Sequence, residues 1–133
     1  MYLSKLSLKQ RKAFLEASLR IATSDGQFAK QEYDLIMQQA EEMGIKFKKD
    51  ADVDFDAAVI DLNGGSTLTQ RKQILFELTR VAYADFVIKP REEQMLKFVV
   101  DTFKLSQTDY AKVTAMVKDL AKTLRDLNTY FAG

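Results

Sequence analysis

Arg20-Ile21-Ala22-Thr23-Ser24-Asp25-Gly26-Gln27-Phe28, with Glu32 just beyond, is an apolar helical run that stops at Asp-Gly and restarts as a second helix. The glutamate falls in the first turn of that second helix. Sixty residues later the pattern returns as Arg80-Val81-Ala82-Tyr83-Ala84-Asp85-Phe86-Val87-Ile88, followed by Glu92. A periodic apolar run that ends at a turn residue and resumes within a few positions reads as two antiparallel helices. The chain therefore contains two helical hairpins, and the rest of the sequence flanks or covers them.

The match extends outward from these turns. At a constant offset of 60, residues 7–45 and 67–105 share nine identities in 39 ungapped positions: Leu8/Leu68, Gln10/Gln70, Arg11/Arg71, Lys12/Lys72, Leu15/Leu75, Arg20/Arg80, Ala22/Ala82, Asp25/Asp85 and Glu32/Glu92. This exceeds what composition alone produces and reads as an internal duplication. Each half would expose an apolar face, so the halves are expected to pack about a pseudo-two-fold axis.

Ser7 with Gln10 and Thr67 with Gln70 are capping boxes: the hydroxyl accepts from the first turn and the glutamine reaches back. They start helices that run to about Ser24 and its counterpart. The second helix is expected from about Lys30 to Gly44, where Gly44 can adopt a positive φ and Ile45 supplies the hydrophobic contact of a Schellman stop. Phe55, Ala58, Val59 and Leu62 predict a shorter third helix, closed by Asn63-Gly64-Gly65. Residues 1–6 read as a short lead-in.

The last helix, about 107–130, carries Tyr110, Val113, Val117, Leu120, Leu124, Leu127 and Phe131, three and four apart without a break. This is a heptad seam. Either the helix lies across its own domain and completes the core, or its end projects and pairs with a second copy. The expected fold is all-α: one compact domain over residues 1–133, a bundle of about six helices built from the two hairpins and the long C-terminal helix.

Composition narrows the function. The 133 residues are 47% apolar and 29% charged, the balance of a soluble globular domain. The net charge of +1 argues against nucleic acid, which needs a basic face to neutralise phosphates. The one basic cluster, Lys46, Lys48 and Lys49, is followed at once by Asp50, Asp52, Asp54 and Asp56, and reads as a solvated loop. With no Cys there are no disulfides, thiolates or thiolate zinc sites, and with no His the commonest general base is missing. Any metal would be held by oxygen ligands, which suits Ca²⁺, Mg²⁺ or Mn²⁺. Lys5, Lys9, Arg11 and Lys12 interrupt any signal-peptide core, and no apolar run reaches spanning length. The expected location is cytoplasmic. Tyr33, Tyr83, Phe98 and Tyr110 read as packing residues.

Asp25 and Asp85 sit at helix C-termini, where a carboxylate costs about 0.3–1 kcal/mol against the helix dipole. Something must compensate: backbone N–H groups of the turn, or Arg20 and Arg80. Glu32 and Glu92 fall near the third position of the next helix, where Glu reaches back to the N-cap backbone. The caps would be Ala29 and Lys89, so each box lacks the hydroxyl half. Pro90 suits the first helical position. In functional terms, the two-fold would gather Asp25, Glu32, Asp85 and Glu92 as ligands for a divalent cation or a cationic partner. An EF-hand does not fit: with Asp25 at loop position 5, the essential first ligand becomes Ile21, and Val81 in the second copy.

The paired pattern, Ala-x-x-Asp-Gly followed by an apolar residue and a Glu six after the Gly, resembles the tellurite-resistance TerB-like family. The resemblance covers residues 7–105. It implies a compact all-helical fold with two related halves. It also implies an acidic surface associated with divalent metal, with Asp25, Gly26, Glu32, Asp85 and Glu92 matching its motif, and with stress-response or membrane-linked assemblies. Phe86 departs from the pattern by replacing the second Gly; since Phe resists positive φ, the second turn is expected to differ.

The leading functional expectation is a non-enzymatic interaction module with protein partners, tuned by Ca²⁺ or Mg²⁺ at the acidic face. The alternatives are an oligomerisation domain that dimerises through the last helix, and a metal-dependent hydrolase with clustered carboxylates. Nothing in the sequence resembles a nucleophile or a phosphate-cradling loop.

Overall fold

The computed structural model describes residues 1–47 and 54–133. Among these the chain forms six helices and no strand: α1 Leu8–Ala22, α2 Lys30–Met43, α3 Phe55–Asn63, α4 Leu68–Ala82, α5 Pro90–Thr102 and α6 Gln107–Ala132. The expected all-α architecture with a long last helix is present. Lys48 and Lys49 of the basic cluster lie outside the described residues, as do Asp50 and Asp52.

Both capping boxes form. Ser7 Oγ accepts from Gln10 N and Gln10 Oε1 accepts from Ser7 N; Thr67 and Gln70 repeat the exchange. α2 ends at Gly44 with φ 69°, and Ile45 N donates to Ala40 O, which is the Schellman closure. At the matching end of α5, Lys104 adopts φ 55° and Leu105 N donates to Val100 O. Arg11 Nη1 donates to Met43 O at 2.8 Å, and Arg71 Nη1 donates to Phe103 O at 2.7 Å. Each arginine thus satisfies a terminal carbonyl of the second helix in its own half.

α1 and α4 are the central pair. α1 touches α2, α3, α4 and α5, while α4 touches α1, α2, α5 and α6. Ala13, Ala17 and Ser18 on α1 are buried and small, which lets neighbouring helices approach closely. Phe14 and Ile21 of α1, Leu75 and Leu78 of α4, Ile36 and Met43 of α2, and Leu96 of α5 with Phe103 at its C-cap are almost wholly buried. Each contributes about 1.5–3 kcal/mol by leaving water.

The first six residues are more than a lead-in. Leu3 and Leu6 are buried in the core, and Leu3 N donates to Glu42 Oε2 at 2.8 Å. Leu3 and Leu6 stand in a segment too short to show a period, so their burial is a tertiary event.

α6 divides in two. Val113 and Val117 are buried against the body, and Leu120 and Ala121 are half-buried; from Lys122 onward every residue is exposed. The proximal part completes the core, as the first reading of the seam expects, and the distal part projects from the body. Of the aromatic residues read as packing, Tyr83, Phe98 and Tyr110 lie against the core. Tyr33 packs edge-on against Phe47 at 5.1 Å.

The acidic junction as candidate functional site

α1 and α4 end in the same way. Thr23 and Tyr83 have φ −101° and −100°. Gly26 N donates to Thr23 O at 3.0 Å, and Phe86 N donates to Tyr83 O at 2.9 Å. Gly26 has φ 81° and Phe86 has φ 69°. The expectation that Phe86 would change the turn is therefore corrected: the bulky residue takes the left-handed conformation, and its ring lies against Tyr83 and the Arg125 guanidinium of α6.

The turns fix the carboxylates. Asp25 Oδ1 accepts from Gln27 N at 3.1 Å, and Asp85 Oδ1 accepts from Val87 N at 3.3 Å. Glu32 Oε1 accepts from Ala29 N, and Glu92 Oε1 from Lys89 N. These are the expected half-boxes. Arg80 bonds Glu77 instead, and among the described residues the ion pairs of Asp25 and Asp85 are with neither Arg20 nor Arg80. The remaining compensation comes from Lys89, whose Nζ lies 2.5 Å from Asp25 Oδ2 and 3.7 Å from Asp85 Oδ2. One ammonium group links the two turns.

The four predicted residues are thus brought together, at two depths. Asp25 and Asp85 have side chains about a quarter exposed, with Lys89 between them. Glu32 and Glu92 are only 2% and 3% exposed. The acidic face is therefore formed by the two aspartates, with the glutamates beneath it, because their bonds to the N-cap backbone draw them inward.

Charge follows depth. The bond from Lys89 holds the Asp25 carboxyl below its ordinary range, and the same bond raises the Lys89 ammonium. Burial raises Glu32. Burial, together with the negative charges of Glu32 and Asp85, pushes Glu92 up to about 7. The junction favours one cation at its mouth and a proton on its floor near neutral pH.

The oxygen donors suit a hard cation in kind. With the Lys89 ammonium set between Asp25 and Asp85, no three carboxylates among the described residues are grouped so as to hold a metal ion. The arrangement binds an ammonium group between two carboxylates. Two surface grooves, of about 560 and 790 Å³, lie along α6, and neither is lined by Asp25 or Asp85.

Residues 46–115 match the family model described as tellurite resistance protein TerB. The chain belongs to the TerB family. The matched span holds α3, α4, α5 and the start of α6, so Asp85 and Glu92 lie inside it, while Asp25 and Glu32 lie outside. No curated protein and no solved structure gives a significant match to the chain. Among the described residues no helix is long and apolar enough to cross a membrane.

Two charged residues were not singled out by the sequence reading. Lys89 appeared only as a cap without a hydroxyl; its signal was the exchange of Ala29 for a cation inside an otherwise matching motif. Glu77 is fully buried and bonded to Arg80 at 2.8 Å and to Tyr2 N at 3.0 Å. Its signal was a charge standing where the first half has Ala17.

Proposed function

We propose that this TerB-family chain is a non-enzymatic interaction module, built from two copies of one helical unit, whose acidic junction exchanges cations. The observation that carries this reading is Lys89 Nζ set between Asp25 and Asp85 above the buried Glu32 and Glu92. Two aspartates at helix C-termini that share one lysine form a cation-selective contact, and the ammonium group now in it belongs to the chain itself. Ca²⁺, Mg²⁺ or a partner's basic side chain competes with Lys89 for the same oxygens. Duplication is supported by the matched turns, matched caps and the paired Arg11 and Arg71 bonds. Binding without turnover is supported by the absence of His and Cys and by grooves that avoid the carboxylates.

The test is a Ca²⁺ and Mg²⁺ titration followed by amide chemical shifts, in wild type, Lys89→Gln and Asp25→Ala/Asp85→Ala. Saturable shifts at residues 25–32 and 85–92, at lower metal concentration in Lys89→Gln and lost in the double variant, are expected. Flat titrations of both wild type and Lys89→Gln at roughly 10 mM metal, above the ~1 mM of weak protein Ca²⁺ sites, would rule out a divalent cation here.

A further inference from the structure

Distal α6 presents an apolar seam and, beside it, an open groove. Leu124 and Leu127 are 45% and 43% exposed, and Tyr130 and Phe131 are 79% and 74% exposed. The groove runs between α6 and α2, with Leu35 on one wall, Leu120 and Leu124 on the other, and Tyr83 and Phe86 from the α4–α5 turn. Its volume is about 560 Å³.

Three features specify the occupant. First, the spacing of α6 is 3.5 residues, the repeat of a helix that packs against another helix. It continues without a miss from the buried Val113 and Val117 into the exposed Leu124, Leu127 and Phe131. Second, the positions flanking the seam carry no charge: Met116, Thr123 and Tyr130 on one side, Thr114, Ala121 and Asn128 on the other. Identical helices can therefore approach without like-charge repulsion. The polar face of the distal part mixes Lys118, Lys122 and Arg125 with Asp119 and Asp126, which does not suit an anionic lipid surface. Third, the sixteen residues lining the groove, with Leu127, Tyr130 and Phe131 beside it, approach the roughly 20 residues a side of a stable interface. The groove is mainly apolar but is also lined by Asp34, Arg80 and Arg125, so it suits an apolar helix with charges of both signs near its seam, and distal α6, with Lys122, Arg125 and Asp126 close to Leu124 and Leu127, is such a helix.

We infer that two copies of this chain pair through distal α6, the exposed seam of each filling the α2–α6 groove of the other. The contact is isologous, because seam and groove lie next to each other on one face of the same molecule.

Sedimentation equilibrium of the full chain tests this, with Leu127→Asp, Phe131→Asp and Ile60→Asp. Ile60 is 60% exposed on α3 and serves as a control of equal character away from α6. The expected result is a wild-type dimer at micromolar concentration. It should weaken roughly thirtyfold or more in Leu127→Asp and Phe131→Asp and persist in Ile60→Asp, with helicity by circular dichroism retained in all three. A wild-type monomer at about 1 mM overturns the proposal, and so does equal weakening by all three variants. A wild-type monomer that instead binds phosphatidylserine vesicles through the same residues assigns the seam to a membrane surface and also overturns it.

Discussion

The Arg125 guanidinium of α6 lies over the Phe86 ring, 4.4 Å from its centroid, and Phe86 holds a left-handed backbone to put it there. A non-glycine residue in that region costs about 1–2 kcal/mol, and the equivalent turn uses Gly26. The stacking returns roughly 0.5–1 kcal/mol. The strain is local to the turn, whereas the gain falls on the projecting half of α6.

Phe86→Gly should therefore leave global stability within about 1 kcal/mol of wild type, since relief of strain offsets the lost stacking. Hydrogen exchange should separate the two effects: amides from Leu120 to Ala132 exchange faster while those of α1 and α4 do not. Unchanged protection in distal α6 would show that Phe86 does not support it.

Glu92 predicts a pH dependence. Its folded value, pushed up to about 7, exceeds its ordinary 4.5, so the folded state holds the proton more tightly than the unfolded chain does. Stability from this group is full below about pH 4.5 and declines as pH rises to about 7. Lys89, Glu32 and Asp85 face it, and Glu32, also raised, adds in the same direction. Glu92→Gln keeps the acceptor for Lys89 N and removes the buried charge. Urea unfolding should show wild type losing about 2–3 kcal/mol between pH 5 and pH 8, with a smaller loss in Glu92→Gln. Parallel curves for the two proteins would contradict a raised Glu92.

Arg11 and Arg71 should differ in weight. Arg11 donates to Leu6 O at 2.8 Å and Ser4 O at 2.6 Å as well as to Met43 O, tying the N-terminal segment to the end of α2. Arg71 has one short bond, to Phe103 O, and a longer one of 3.4 Å to Thr67 O. Hydrogen bonds from a charged donor contribute about 1.5–3 kcal/mol each before solvent screening. Arg11→Met should cost about 2–3 kcal/mol in denaturant unfolding and Arg71→Met about 1–2 kcal/mol. A larger loss at Arg71 would place the weight on the second half.

Much of this was legible in the residues. The capping boxes of Ser7 and Thr67, the Gly44 stop and the helix periods are local, because each needs only neighbours within four positions. The glutamate half-boxes of Glu32 and Glu92 were legible for the same reason. Leu3 and Leu6 were not, since nothing near them in sequence announces a core. Phe86 departs from expectation because steric preference argues against φ 69°, and part of what holds its ring, the Arg125 guanidinium of α6, arrives some forty residues later.

By itself the sequence determined six helices, their caps, and the four carboxylates at equivalent points of two hairpins, because these follow from backbone hydrogen bonding and apolar spacing over a few residues. The tertiary structure decided the rest. Packing of the helices brings Lys89 within 2.5 Å of Asp25 across 64 residues of chain. The same packing buries Glu32 and Glu92 so that solvent no longer supports their charges, and it ends the body at Val117 so that half of an unbroken apolar seam is left facing outward. Burial and long-range charge pairing depend on which helices meet, and no local pattern encodes that.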